Sequence, residues 1–144
     1  MYPYTFYCVL LFCCTRALSA EIPDDLLDKP ILECLEKTNM DKLFFKNSFD
    51  KKFHLVKGDA KLAESLECLG KSKKLINEDG KLNHDNIHNH TVNILIPLTN
   101  TNGDKDQMAT KVTNECINVS GDSYSDRIAN LHNCIVDALA KHSK

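Results

Sequence analysis

Hydrophobic residues recur at helical spacing along most of the chain after residue 20. The first stripe runs from Leu26 to Leu35 behind the acidic pair Asp24-Asp25, which suits the beginning of a helix. Pro30 lies within it, so the pattern predicts a first helix that begins late or is kinked. Four phenylalanines then predict a second helix and the turn after it: Phe44, Phe45, Phe49 and Phe53.

Residues that begin and end helices divide the middle of the chain into two further elements. Asp59 is suited to cap a third helix, which Gly70 is predicted to stop. After a glycine-containing turn, Asn83 or Asp85 is predicted to open a fourth helix, and Pro97 to end it. Both segments carry their apolar residues on one stripe, which is typical of helices that pack on a core.

The last third of the chain contains two more amphipathic segments. A polar loop over residues 99–106 separates the fourth helix from a fifth, which carries Met108 to Ile117. Ser123 or Ser125 is suited to cap a sixth helix, with apolar residues on one face from Ile128 to Leu139. The pattern therefore predicts one all-α domain of six helices over residues 21–144.

Residues 1–20 follow a different pattern and are predicted to be a secretory signal peptide. The apolar run Cys8–Cys14 is too short to span a bilayer, and the small-residue stretch Thr15–Ala20 follows it. The segment lacks the usual positive start, so a buried N-terminal helix is the alternative interpretation. Export would place the remaining domain in an oxidising compartment.

The composition, 42% hydrophobic and 26% charged, is ordinary for a globular domain. The cysteines are more informative. Three of the seven lie within residues 1–20, which leaves Cys34, Cys68, Cys116 and Cys134. An even number in a short exported chain predicts two disulfides. Three pairings are open. We favour Cys34 with Cys68 and Cys116 with Cys134, because each bond then joins helices that are close in sequence.

Residues that catalyse reactions or bind metals form no convincing pattern. His84 and His88 imitate the HExxH spacing of zinc proteases, but Asp85 replaces the required glutamate and no third ligand is evident. The formal net charge is −2 without a basic patch, which argues against nucleic acid as a partner. We therefore predict a protein that is not an enzyme and uses no metal or cofactor. Asn89 and Asn118 begin glycosylation sequons.

Two segments of the chain resemble insect odorant-binding proteins, the PBP/GOBP family. Residues 68–83, a helix end followed by a turn and the next helix start, are similar to the stretch after the family's third cysteine. Ser125–Cys134 is similar to the stretch between its fifth and sixth cysteines. Glu64 and Ser125 stand where the family has its second and fifth cysteines, which pair with each other. This paired loss resembles the minus-C subgroup, whose two remaining bridges are the pairing favoured above.

The resemblance implies six helices around an internal apolar cavity that carries a small hydrophobic ligand, such as an odorant, a pheromone or a related lipid. It also implies secretion into sensillar lymph or haemolymph, a monomer or weak homodimer, and a membrane chemoreceptor as a candidate partner. A secreted helical signalling or interaction protein on the same scaffold is the alternative. An exposed contiguous apolar patch would favour that alternative, whereas an enclosed cavity would favour a carrier.

The candidate ligand-binding residues are the aromatic cluster and the apolar stripes of the helices that surround the family's pocket. Ordinary core packing explains any one of them equally well. The twelve are Phe44, Phe45, Phe49, Phe53, Leu66, Leu69, Ile87, Leu95, Met108, Val112, Leu131 and Ile135.

Two further expectations concern the behaviour of this pocket. Because no bridge joins positions 64 and 125, we expect the pocket to be deformable and to accept varied ligands. The cluster His84, His88 and His90 also suggests that ligand is released on acidification, since imidazoles gain charge below about pH 6.5.

Overall fold

The computed structural model describes residues 21–143, and the predicted signal peptide lies outside this range. A single 3₁₀ turn, Asp24–Leu26, precedes six helices, which confirms the all-α prediction. Helix α4 has three parts: an α-helical start His84–His90, a π-helical segment Thr91–Leu95 and an α-helical end Ile96–Thr99. The other five are α1 Lys29–Lys37, α2 Lys42–Lys46, α3 Ala60–Ser72, α5 Lys105–Cys116 and α6 Tyr124–His142.

Each of the six helices begins at a side chain that caps it. The capping oxygen accepts a hydrogen bond from a backbone N–H in the first turn, which satisfies a donor that the helix itself leaves free. Asp59 caps α3 as predicted, and of the alternatives it is Asn83 and Ser123 that cap α4 and α6. The remaining caps are Asp28, Asp41 and Asp104.

The first helix begins late, as its proline predicted. Helix α1 starts at Lys29, after the cap at Asp28, and Pro30 lies in its first turn. A proline is tolerated there because the first N–H groups of a helix have no partner within the helix.

The prediction that Gly70 stops α3 was wrong. The helix continues to Ser72, and Gly70 is buried where α3 crosses the start of α6. A Cβ atom at this position would lie 2.8 Å from the nearest side-chain atoms of Tyr124 and Ile128. The glycine is therefore explained by close packing between two helices rather than by a helix end.

The prediction that Pro97 ends α4 was also wrong. The helix passes through the proline and ends at Thr99, where Asn100 adopts a left-handed conformation at φ 50°. The π-helical segment lies immediately before the proline, and the Ile96 N–H bonds to the carbonyl oxygen of Thr91. This wider turn accommodates a residue that has no N–H to donate and whose ring crowds the preceding turn.

Both predicted disulfides are present. Cys34–Cys68 joins α1 to α3, and Cys116–Cys134 joins the end of α5 to the middle of α6, with Cα–Cα separations of 5.7 and 5.9 Å. Helix α6 packs mainly against α3 and α5. The first bridge therefore attaches α1 to α3, and the second reinforces the contact between α5 and α6. Among the described residues, pairing between extended segments is limited to two isolated bridges, Phe49 with Leu55 and Ile76 with Leu82.

Candidate functional site

An apolar cavity lies inside the bundle, between the N-terminal segment and helices α1, α2, α3, α4 and α6. Its volume is about 60 Å³, counted as the space open to the centre of a water-sized sphere. Apart from His90 and His132, the described side chains that line it are aliphatic or aromatic. Removing such surface from water stabilises a complex by about 25 cal/mol per Å². The wall is therefore suited to an apolar molecule.

Eight of the twelve candidate ligand-binding residues lie on this wall. They come from α3, α4, α6 and the segment of α2 with the turn after it, which the structure brings to one space. That they contact a ligand stays a prediction. The eight are Phe45, Phe49, Leu66, Leu69, Ile87, Leu95, Leu131 and Ile135.

The other four candidates lie elsewhere. Met108 and Val112 belong to α5, which contributes no residue to the wall, and Val112 is fully buried in the core. Phe44 is 47% exposed, because the short helix α2 turns Phe45 toward the bundle instead. Phe53 packs against the core from the loop after α2.

Eleven residues of the wall were missed by the sequence analysis. Some lie in irregular segments that have no helical period to follow. The two histidines did carry a signal, because each occupies the apolar stripe of its helix, three residues after Ile87 or four after Ile128. The eleven are Ile22, Leu26, Leu27, Ile31, Leu55, Leu75, His90, Ile94, Leu98, Ile128 and His132.

His90 lies between the cavity and the protein surface. Its Nδ1 atom lies 3.2 Å from the ammonium nitrogen of Lys73, which also pairs with Asp28, the cap of α1. Burial lowers the pKa of His90 well below its usual value, and repulsion from the Lys73 ammonium, and from His132 when that ring is protonated, lowers it further. The imidazole is therefore neutral at physiological pH.

His132 lies on the α6 part of the wall and is tilted against the ring of Phe49, with centroids 5.5 Å apart. Its Nε2 atom donates to the carbonyl oxygen of Phe53 at 2.7 Å. Burial lowers the pKa of His132 to about 4, although the Phe53 carbonyl raises it and the charge of His54 lowers it. This imidazole is neutral as well.

A polar cleft of about 190 Å³ adjoins the cavity on its outer side. His90 and Ile94 border both spaces, and Lys73 and Asp28 line the cleft alone. The side chains of His90 and Ile94 therefore lie between the cavity and this cleft.

A second cleft, of about 260 Å³, lies between the start of α3 and the start of α6. Ser125, which occupies the place of the missing fifth cysteine, lines this cleft, and Leu66 borders both the cleft and the cavity. The unbridged part of the fold is therefore next to the cavity wall.

His84 and His88 do not join His90 at the cavity. Nε2 of His84 lies 2.8 Å from Oδ1 of Asn114, and Nε2 of His88 lies 3.2 Å from Oδ1 of Asp106. Both partners belong to α5, so these two histidines tie α4 to α5. Within residues 21–143, no three His, Cys, Asp or Glu side chains are grouped as metal ligands.

Comparison with models of known protein families shows the family of this chain. A sequence model of the PBP/GOBP family matches residues 24–138, which is most of the chain. The chain belongs to the PBP/GOBP family. Searches of curated proteins and of solved structures found no match.

Membership in the PBP/GOBP family agrees with the site. These insect odorant-binding proteins bind small hydrophobic ligands and are not enzymes, and their role as carriers fits an apolar cavity inside a helical bundle. No helix among the described residues of this PBP/GOBP protein is long and apolar enough to cross a membrane. Asn89 on α4 and Asn118 in the loop after α5 are both exposed, and their glycosylation stays a prediction.

Proposed function

We propose that this PBP/GOBP protein takes up one small hydrophobic molecule in its internal cavity and carries it through water without changing it chemically. The observation that carries the proposal is the cavity wall, which the N-terminal segment, five helices and two loops build almost entirely from apolar side chains. A molecule enclosed there loses contact with water on nearly all sides, and the burial of its apolar surface supplies the affinity.

The proposal includes a wall that moves when ligand enters. A volume of about 60 Å³ is well below the roughly 300–1,000 Å³ of pockets that enclose drug-sized ligands. The cavity can grow at two places where one layer of side chains separates it from a cleft, at Leu66 and at His90 with Ile94. The absence of a bridge between positions 64 and 125 supports such movement near Leu66.

We further infer that the protein acts in an extracellular fluid, sensillar lymph or haemolymph, as a monomer or weak homodimer. The predicted signal peptide over residues 1–20 and the two disulfides support export, because such bridges persist in oxidising compartments. A membrane chemoreceptor is the candidate partner that would receive the ligand.

Displacement of the fluorescent probe N-phenyl-1-naphthylamine tests the carrier function. Long-chain alcohols, esters, aldehydes and aromatics are titrated against bound probe, and some of them are expected to displace it at micromolar concentration. No displacement by any of them would overturn the proposal. Leu98→Phe, which fills the cavity from its wall, should weaken probe binding, whereas the matched Leu43→Phe on the exposed face of α2 should not.

A further inference from the structure

Two imidazoles are the polar side chains that the described residues place on the cavity wall. His90 comes from α4 and His132 from α6, and each lies on a stripe that is otherwise apolar. Both rings border the same cavity, whose volume is only about 60 Å³. The cavity therefore has one polar region inside an apolar space, and the hydrogen-bonding capacity of that region limits which ligand fits.

The chemistry of its neighbour determines where His90 carries its proton. Lys73 is an ammonium group that can only donate, so Nδ1 of His90 must accept the bond between them. A neutral imidazole that accepts at Nδ1 carries its proton on Nε2. Lys73 lines the outer cleft and not the cavity, so this bond uses the outer edge of the ring. The Nε2–H group is the donor left for the cavity.

His132 has the opposite role, because its partner is an acceptor. The carbonyl oxygen of Phe53 can only accept, so Nε2 of His132 must carry the proton. The remaining nitrogen of the neutral ring, Nδ1, is then an acceptor. Phe53 is not on the cavity wall, so this bond also uses the edge of the ring that faces away from the cavity.

We propose that the ligand of this cavity is an apolar molecule that ends in a hydroxyl group, which donates to Nδ1 of His132 and accepts from Nε2–H of His90. The proposal rests on the carrier function and names its ligand class. A hydroxyl is one donor with acceptor lone pairs on a single atom, and it satisfies both rings at once.

Other polar end groups fit less well. An aldehyde, ketone, ester or ether oxygen can accept from His90 but leaves the acceptor of His132 without a partner, which costs free energy in a buried site. A carboxylate would place its lone pairs against that same acceptor and would lose its hydration. An ammonium group would approach Lys73, which holds a positive charge behind the His90 ring.

A matched set of ligands tests this assignment. Decanol, decanal and decyl methyl ether have similar apolar chains and differ in whether the terminal oxygen can donate. Each is titrated against bound N-phenyl-1-naphthylamine on the full protein, and decanol is expected to bind about tenfold more tightly than the other two. His90→Leu and His132→Leu should each reduce this ratio toward one. The control His84→Leu, on the same helix as His90 but away from the cavity, should preserve it.

The titration distinguishes a wrong hydroxyl assignment from a wrong carrier function. If all three ligands displace the probe with equal affinity from the unmodified protein, the carrier function stands and the hydroxyl assignment is overturned. If none displaces it, the carrier function itself fails. Nitrogen NMR of the unmodified protein provides a readout that needs no variant. Decanol should shift the His90 Nε2 and His132 Nδ1 resonances, and unchanged resonances with decanol bound would overturn the assignment.

Discussion

The imidazole of His132 donates a hydrogen bond from Nε2 to the carbonyl oxygen of Phe53, which lies 79 residues earlier in the chain. The bond joins the longest helix, α6, to the loop that follows α2. Phe53 has φ of 65°, a left-handed conformation that a bulky residue seldom adopts and that costs on the order of 1 kcal/mol or more. His132 therefore lines the cavity and also holds a strained loop in place.

Replacing His132 by leucine should destabilise the fold. The Phe53 carbonyl would lose its partner in a partly buried place, so we expect the free energy of unfolding to fall by about 1–3 kcal/mol. Urea denaturation followed by circular dichroism measures this. His84→Leu on α4 should lower the value less, because the bond from His84 to Asn114 lies at the protein surface, where water can replace it. Equal effects of the two substitutions would contradict a structural role for the His132 bond.

The same histidine should make stability depend on pH. Its pKa is about 4 in the folded protein and near 6.5 when unfolded, so the unfolded chain takes up the proton first as pH falls. The contribution is complete above about pH 6.5 and is lost toward pH 4, up to about 3 kcal/mol.

His54 should act in the opposite direction. Burial lowers its pKa, but the hydrogen bonds to Asp137 and Asp50 raise it more, so the net change is upward. Its contribution is present below about pH 6.5 and is lost as pH rises through the folded pKa.

Removing the imidazole of His132 removes its part of the pH dependence. Unfolding free energies should then fall less steeply between about pH 7.5 and pH 4 in His132→Gln than in the unmodified protein. Parallel curves would show that His132 is not responsible.

Restoring the missing bridge should narrow the range of ligands. Glu64→Cys combined with Ser125→Cys would cross-link α3 to the start of α6, beside the cleft that Leu66 separates from the cavity. We expect weaker binding of bulky ligands than of slender ones once mass spectrometry confirms the bridge. Glu64→Ser with Ser125 unchanged is the control without a bridge. Unaltered affinities across the ligand panel would show that this part of the wall does not move.

An alanine at position 70 should destabilise the protein although it favours a helix. Alanine gains about 1 kcal/mol over glycine in helix propensity, but overpacking costs about 1–3 kcal/mol when the neighbours cannot retreat. A Cβ atom would lie 2.8 Å from both Tyr124 and Ile128. Thermal unfolding should show a lower midpoint for Gly70→Ala and no loss for Ser72→Ala, which is exposed at the end of the same helix. A raised midpoint at position 70 would refute the packing explanation.

Most of the fold could be predicted because its signals are local. A cap such as Asp59 or Ser123 bonds to residues in the adjacent turn, and an apolar stripe follows from the helical period itself. The role of Gly70 was mispredicted because it depends on packing against a distant helix, and that of Pro97 because no residue pattern marks a π-helical segment. Tyr124 occupies the space that a side chain at position 70 would need, and a π-helical segment accommodates Pro97.

The cavity wall could be predicted only in part, for the same reason. Val112 and Leu131 lie on equally apolar stripes, but only α6 and not α5 reaches the cavity, and that depends on how the helices assemble. Leu55 and Leu75 lie in loops that two isolated bridges shape, so no periodicity marks them. The chemistry of His90 and His132 required their partners Lys73 and Phe53, which are distant in sequence.

Methyl-resolved NMR during titration with decanol tests the central claim, that the ligand lies inside the bundle. If it does, methyl groups on the cavity wall, at Ile87, Leu131 and Ile135, should shift strongly, with little change at the exposed Leu32 and Leu43. Shifts confined to the exposed residues, with the wall unchanged, would contradict the carrier function and favour a surface that binds another molecule.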